Sequence, residues 1–268
     1  MEAVTRGWLN TDYRIFRSVD RRNMDFDMHY HEFHKIVFCL GGCAEYAMEG
    51  KTYRLTAGSI LIVPRHCIHR SSFQQEDAYE RMILWVQDDY IRSFGDESLC
   101  ALFENREPYF LTPAHAEANR LETVLANAYG SEGLLSMTYL LQFLLFLYRV
   151  KAEEPRKDGT GVQDPFIRGI LEHIRENIRG RLSVQSIADA FYISPSYLMH
   201  RFKKETGFPL YNYILQKRLI LAVEAMQNGT PVQEAARESG FTDYTAFLKA
   251  FKAYYGKTPT EIRTYKAQ

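Results

Sequence analysis

Gly240 to Arg263 reads GFTDYTAFLKAFKAYYGKTPTEIR. A glycine opens the turn. Thr242 then stands where a helix N-cap is expected, since its hydroxyl can accept from an orphan N–H of the first turn. Phe247 and Phe251 follow at i and i+4, and Tyr254 falls on the same side, so one face is apolar. Thr245, Leu248, Lys249 and Lys252 fall on the opposite face. Upstream, Val232, Ala235 and Ala236 mark a short helix with its own apolar side. A short helix, a glycine turn and a second helix with a polar, basic outer face make the helix-turn-helix pattern. Its second helix has the character of one that enters a major groove.

The same unit occurs earlier. Ser183 to Gly207 reads SVQSIADAFYISPSYLMHRFKKETG. Val184, Ile187, Ala188 and Phe191 make the apolar stripe of a short helix. Ser194 is an N-cap and Pro195 sits at N1, where its missing N–H costs nothing. A shift of 49 residues puts Leu198 on Phe247, Phe202 on Phe251, Lys203 on Lys252 and Gly207 on Gly256. The first helices align at 48, so the turns differ by one residue. An internal repeat of this kind is a stronger signal than either copy alone.

Two such units joined by one long helix, with FKKETG closing the first and GFTDYTAFLKAFKAYYGKTP in the second, resemble the AraC family of bacterial transcription regulators. The resemblance covers about Val162 to Arg263. One departure is Tyr192, where the family's first turn often carries glycine. That turn must avoid positive φ or accept strain.

Net charge over the 268 residues is zero, but it is unevenly placed. From Phe166 onward there are 15 Lys+Arg against 9 Asp+Glu, a balance of +6, and the preceding residues stand at −6. A basic C-terminal domain behind an acidic one fits a DNA-contacting module carried by a domain that does not touch DNA. The four cysteines, Cys39, Cys43, Cys67 and Cys100, form no C-x-x-C pair and read as reduced thiols. No apolar N-terminal run resembles a signal peptide. The longest apolar stretch, Leu134 to Val150, is interrupted by Ser136, Thr138 and Gln142, which argues against a membrane span. A cytoplasmic protein is expected.

From His29 to Arg70 the chain is β-like. Tyr13 to Phe16, Lys35 to Leu40, Ala44 to Met48, Thr52 to Leu55, Ser59 to Val63 and Glu80 to Gln87 read as strands. Glu49-Gly50-Lys51 and Ala57-Gly58 read as turns, and Pro64 as a stop. Many short strands with glycine turns predict an antiparallel barrel or sandwich. The order His29-Tyr30-His31, Gly58 with Pro64, then His69 resembles the small β-barrel called the cupin, which many AraC-like regulators carry as a sensor domain. This resemblance covers about residues 10 to 110. Metal-binding cupins use histidines and a glutamate. His29 and His31 lie two apart, on one side of a strand, and with His69 they would make a three-His site. Lys35 stands near where the glutamate would be, and an ammonium beside a divalent cation is unfavourable. The expectation is therefore no metal and no cofactor. His29, His31, Lys35, His66 and His69 are instead candidate contacts to a small effector, anionic or sugar-like.

Pro113 to Tyr129 and Ser131 to Arg149 read as helices, the second apolar nearly all round and so packed on two sides. Its spacing of Leu134, Leu135, Thr138, Leu141, Leu145 and Tyr148 suits a twin subunit, as the family implies. Lys151 to Gln163, charged and glycine-containing, reads as a linker. Phe166 to Ile178 is a helix, and Pro209 to Asn228 is the long helix between the two DNA units. The fold class is two domains: an all-β cupin-like barrel with appended helices, then an all-α domain with two helix-turn-helix units. The divisions are residues 1–112 for the barrel, 113–154 for a helical dimerisation segment, 155–164 for the linker and 165–268 for DNA binding.

In the AraC family the outward positions of the two reading helices reach base edges. By that resemblance Ser196, Met199, His200, Thr245 and Lys249 read bases, with Tyr244 at a helix start; Lys249 suits guanine O6 or N7 and Leu248 a thymine methyl. Arg201, Lys203, Lys204 and Lys252 suit phosphates, which supply affinity without sequence information. No nucleophile motif or phosphate-binding glycine loop occurs, so no catalytic residue is assigned. The expected protein is a ligand-responsive, homodimeric transcription regulator of double-stranded DNA, with RNA polymerase left open as a further partner. Two rivals stand beside it: a metal-dependent cupin enzyme fused to a DNA-binding domain, and a DNA binder that answers to no ligand.

Overall fold

A computed structural model describes residues 9, 11–22, 24–26, 29–48, 51–73, 78–103, 108–153 and 164–265. The chain divides into two compact units, residues 1–162 and 163–268.

In the first unit, nine strands among the described residues form two antiparallel sheets. The larger runs β1 (Tyr13–Asp20), β8 (Tyr79–Val86), β3 (His34–Gly41), β6 (Ile60–Val63) and β9 (Tyr109–Leu111) in that order. The smaller runs β2 (Met24–Asp25), β7 (His69–Phe73), β4 (Cys43–Met48) and β5 (Lys51–Thr56). Side-chain alternation sorts each strand into two faces. On β3, Val37 and Cys39 turn toward a core shared with Ala44, Tyr46, Met48, Tyr53 and Leu55 of the smaller sheet. Ile36 and Phe38 turn the other way, onto helices. Being covered on both sides, β3 is apolar along nearly its whole length and shows no alternation in sequence.

The helices behind the larger sheet are α1 (Asp88–Ser93), α2 (Glu97–Ala101), α3 (His115–Tyr129) and α4 (Gly133–Glu153). Leu121 and Leu125 of α3 pack with Leu140, Phe143, Leu144 and Leu147 of α4. By length and apolarity α4 passes for a membrane-crossing helix, yet these four residues are fully buried in the protein core. Its other side leaves Leu134, Leu135 and Leu145 exposed, the first at 73%.

The short elements β2, β7, β9, α1 and α2 go beyond the sequence reading. The turn at Glu49-Gly50 lies outside the described residues, as do residues 154–163 of the expected linker. Lys151 to Glu153, expected in that linker, continue α4, because Lys151 Nζ donates to the carbonyls of Ala101 and Leu102 at 2.8 and 3.0 Å.

The second unit holds seven helices among its described residues: α5 (Pro165–Asn177), α6 (Val184–Ala190), α7 (Pro195–Thr206), α8 (Leu210–Gln227), α9 (Val232–Glu238), α10 (Tyr244–Tyr255) and α11 (Pro259–Tyr265). Leu198 and Phe202 of α7 are fully buried, as are Phe247 and Phe251 of α10. The central α8 packs against both helix-turn-helix copies. Its Tyr213 ring meets Phe202 at 5.6 Å, and its Leu219, Ala222, Val223 and Met226 share a core with Phe247 and Phe251.

The repeat extends to the turns. Ile193 N–H donates to Ala188 O at 3.0 Å, and Phe241 N–H to Ala236 O at 3.1 Å. The residue before each donor takes positive φ: Tyr192 at +55° and Gly240 at +92°. Tyr192 therefore accepts the strain, with its ring in solvent at 96% exposure. Glycine at 240 answers a tighter site, since a Cβ there would lie 2.5 Å from Ile178 O and 2.8 Å from Arg218 Nε. Ser194 caps α7 as expected, with Pro195 in the first turn, and Ser183 caps α6. The cap of α10 is Asp243, not Thr242: its Oδ1 accepts from Thr245 N at 2.7 Å and Ala246 N at 3.1 Å. A carboxylate at this end also meets the positive pole of the helix.

Candidate functional site

Two groups of residues are candidates for the functional site: the outer faces of α7 and α10, and the inner wall of the barrel. On α7, Ser196, Met199, His200, Lys203 and Lys204 are exposed, and on α10 Tyr244, Thr245, Lys249 and Lys252 are exposed. Apart from Tyr244, which lies three places before Phe247 and stacks on it, these positions follow from the burial of Leu198/Phe202 and Phe247/Phe251, because residues one, two or five places from a buried position fall on other faces of a 3.6-residue turn. The repeat sets Ser196 against Thr245, His200 against Lys249 and Lys203 against Lys252.

Two predicted contacts are placed differently. Arg201 is taken by its own domain: Nε and Nη2 donate to Asp164 Oδ2 at 2.9 and 2.6 Å, Nη1 donates to Tyr197 Oη, and the guanidinium lies 4.5 Å from the Phe166 ring centre. Asp164 at the same time caps α5 through Phe166 N–H. Arg201 is thus a clamp between α7 and the start of α5, not a free phosphate contact. Leu248 is half-buried and packs against the core of the second unit, so only part of it is open to a ligand.

In the barrel, His29 and His69 are directly opposite across an antiparallel bridge, each N–H donating to the other's carbonyl at 2.9 Å. His31 is two residues along the same side, and its carbonyl accepts from His66 N–H at 2.8 Å. The backbone therefore holds all three rings together, with centroids 4.5 to 5.2 Å apart. One ring nitrogen from each lies within 4.8 Å of the others. His69 Nδ1 is 2.9 Å from Cys67 O. A carbonyl only accepts, so Nδ1 carries the proton and Nε2 presents a lone pair. His69 Nε2 and both nitrogens of His31 are buried without a hydrogen-bond partner among the described residues. Burial, then the neighbouring histidines and Lys35, holds His31 and His69 well below the ordinary imidazole pKa.

His66 is not in this cluster. Its Nε2 lies 2.8 Å from Glu32 Oε2 and its backbone sits at φ +66°, which places it beside the three-histidine cluster. Lys35 is 92% buried, its Nζ lying 5.4 Å from the Tyr46 ring centre. Burial and Arg81 lower its pKa to about 7. The lysine thus points to Tyr46 and leaves the three histidines facing one another.

Sequence reasoning missed the polar groups on β8 and β4 that line the same interior. Arg81 is buried, pairs with Asp20 at 2.6 Å and lies over the Tyr79 ring at 4.5 Å. Tyr46 and Tyr79 are fully buried, and burial raises both phenol pKa values. The signal available was alternation: Tyr79 and Arg81 are two apart on one strand, as are Ala44 and Tyr46.

Comparison with known proteins follows the same division. A family described as an AraC-like ligand binding domain matches residues 15–144, and a helix-turn-helix domain family matches residues 171–265. The transcriptional activator RhaS of Shigella sonnei is 21% identical over 248 residues, spanning 89% of this chain and 88% of that protein. Among solved structures, ToxT from Vibrio cholerae aligns over 95% of this chain and 98% of its own at 15% identity, with a TM-score of 0.42. The C-terminal domain of the response regulator YesN from Fusobacterium nucleatum aligns with 37% of this chain and 99% of its own, at 30% identity and a TM-score of 0.36.

Proposed function

The chain belongs to the AraC family, an AraC-like ligand-binding domain followed by a helix-turn-helix domain, and from that premise we propose that it regulates transcription by reading promoter DNA with α7 and α10. The observation that carries this reading is the matched pair of helices. Each buries two residues at i and i+4 and presents a polar, basic face in the same register. Ser196, Met199, His200, Tyr244, Thr245 and Lys249 read bases, and Lys203, Lys204 and Lys252 bind phosphates. Helix α8, 18 residues long, spans about 27 Å at 1.5 Å per residue. One turn of B-DNA is about 34 Å, so the two reading helices suit successive major grooves on one face.

The barrel is the receiver. Lys35 and Arg81, with the His31 imidazole and the two tyrosine hydroxyls, make a polar wall that suits a small anionic or polyhydroxylated effector. The chain acts by binding, with no reaction assigned to it, in the cytoplasm. Two copies pair through the exposed Leu134, Leu135 and Leu145 of α4, whose burial in a dimer removes apolar surface from water. At a promoter, RNA polymerase is the further partner.

Fluorescence anisotropy on a labelled duplex tests the DNA reading. With Arg201 engaged, three lysines remain for phosphates, so the log–log salt slope per monomer is expected near −3, at about 0.9 per contact. A flat slope contradicts it.

A further inference from the structure

On the reading that α7 and α10 both enter DNA, we propose that Arg218 is a positioning residue that fixes the spacing of the two reading helices. It thereby sets the number of base pairs between the two segments they read. Chain connectivity alone does not set that spacing. Helix α8 joins the two copies through short connections, and Gly207 at φ +76° and Gly229 at φ +94° mark its two ends. What crosses from one copy to the other is a junction at the middle of α8. Arg218 Nε donates to Ile178 O at 3.0 Å, and Nη2 donates to Gly180 O at 2.8 Å. Those carbonyls lie just past the end of α5 and just before Ser183, the cap of α6. Ile178 closes α5, so its carbonyl is among the orphan acceptors of a helix C-terminus, where the macrodipole also favours a cation.

The second copy closes on the same point. A Cβ at Gly240 would lie 2.5 Å from Ile178 O, 2.8 Å from Arg218 Nε and 3.2 Å from Arg218 Cζ. Gly240 sits in the turn of the second copy, shortly before Asp243, the cap of α10. Arg179, from the same loop as Ile178, donates through Nη1 to Glu238 O at 3.2 Å, at the end of α9. The entry to the first copy, the middle of α8 and the turn of the second copy thus meet around one guanidinium. Its planar fork reaches two carbonyls at once, which a lysine ammonium at the same position does not reproduce. Each added base pair moves one DNA segment by about 3.4 Å and turns it by about 34–36° about the duplex axis, since a turn of about 34 Å holds about 10 base pairs. Two helices held as one body do not follow that displacement, whereas two helices hinged at the ends of α8 do.

The test uses the full chain and duplexes carrying the two segments that the wild type selects from a randomised pool, with the interval between them changed by one or two base pairs either way. Wild-type affinity should peak at one interval and fall at least about tenfold one base pair away from it, the loss expected for one base contact. Arg218→Met keeps the stem and removes the donors. It should leave affinity at the best interval within about fivefold of the wild type and flatten the profile to within about threefold across neighbouring intervals. Arg218→Lys restores one donor and should fall between the two. Arg179→Ala, at an exposed position, should flatten the profile less than Arg218→Met. A role in stability alone lowers affinity equally at every interval, so a wild-type profile in folded Arg218→Met overturns the proposal. If circular dichroism shows that Arg218→Met does not fold, Arg218→Lys and Arg179→Ala carry the comparison, and wild-type profiles in both overturn it. A wild type that binds both segments equally well at every interval overturns the proposal and leaves the DNA reading intact. A wild type that selects one segment only overturns both.

Discussion

The two helix-turn-helix units share one frame and differ in what secures it. Their apolar residues superimpose at a shift of 49, and both second helices end on a glycine at positive φ, Gly207 at +76° and Gly256 at +71°. The first unit tolerates a solvent-exposed tyrosine in its turn; the second needs glycine because Ile178 and Arg218 crowd the site. The first unit also ties its reading helix to Asp164 through Arg201, where the second has Ala250. A repeat therefore preserves the packing that sets the helix faces, while turns, caps and tethers follow each copy's surroundings.

The largest effects should be the same in both copies. Phe202→Ala and Phe251→Ala each delete a fully buried ring, at a cost of about 3–5 kcal/mol. Because α8 packs on both rings' clusters, urea unfolding of the helical unit should stay a single transition in either variant. Two separated transitions would break the claim that α8 couples the copies.

The turns should then behave oppositely. Gly240→Ala puts a Cβ against a backbone carbonyl at positive φ and should cost upwards of about 2 kcal/mol. Tyr192→Gly removes strain at an exposed position and should change stability by at most about 1 kcal/mol, in the stabilising direction. Thermal denaturation of the two variants checks this. Equal losses would mean that the turns are not distinguished by crowding.

Much of this was readable from residues alone, where the information is local. Periodicity placed Leu198, Phe202, Phe247 and Phe251 inward, and H-x-H with a later histidine named the three rings that the barrel brings together. What stayed hidden depends on distant partners. Asp164 lies 37 residues before Arg201, so a side chain that looks like a phosphate contact is instead a clamp. Alternation puts Arg81 on the side of Tyr79 and Tyr46 on the side of Ala44, but that both sides face one interior depends on strand pairing between distant segments. The cap of α10 was missed for another reason: Thr242 and Asp243 are adjacent capping residue types, and only the hydrogen-bond geometry separates them.

The smallest effect sharpens the tether. Lys203→Ala should weaken binding to all duplexes alike and flatten the salt slope by about one. Arg201→Ala should leave the slope unchanged, since its guanidinium is held by Asp164. A flattened slope in Arg201→Ala would return that residue to the DNA.

The central claim is that one chain reads DNA twice, with corresponding positions on two copies of one helix. Selection from a randomised duplex pool by the wild-type chain, Lys249→Ala and His200→Ala tests it directly. The wild type should select an asymmetric site with two segments about one helical turn apart. Lys249→Ala should relax preference in one segment only, at about 1–3 kcal/mol for a bidentate contact, and His200→Ala in the other only. A single short segment in the wild type, or a motif unchanged in both variants, would contradict it.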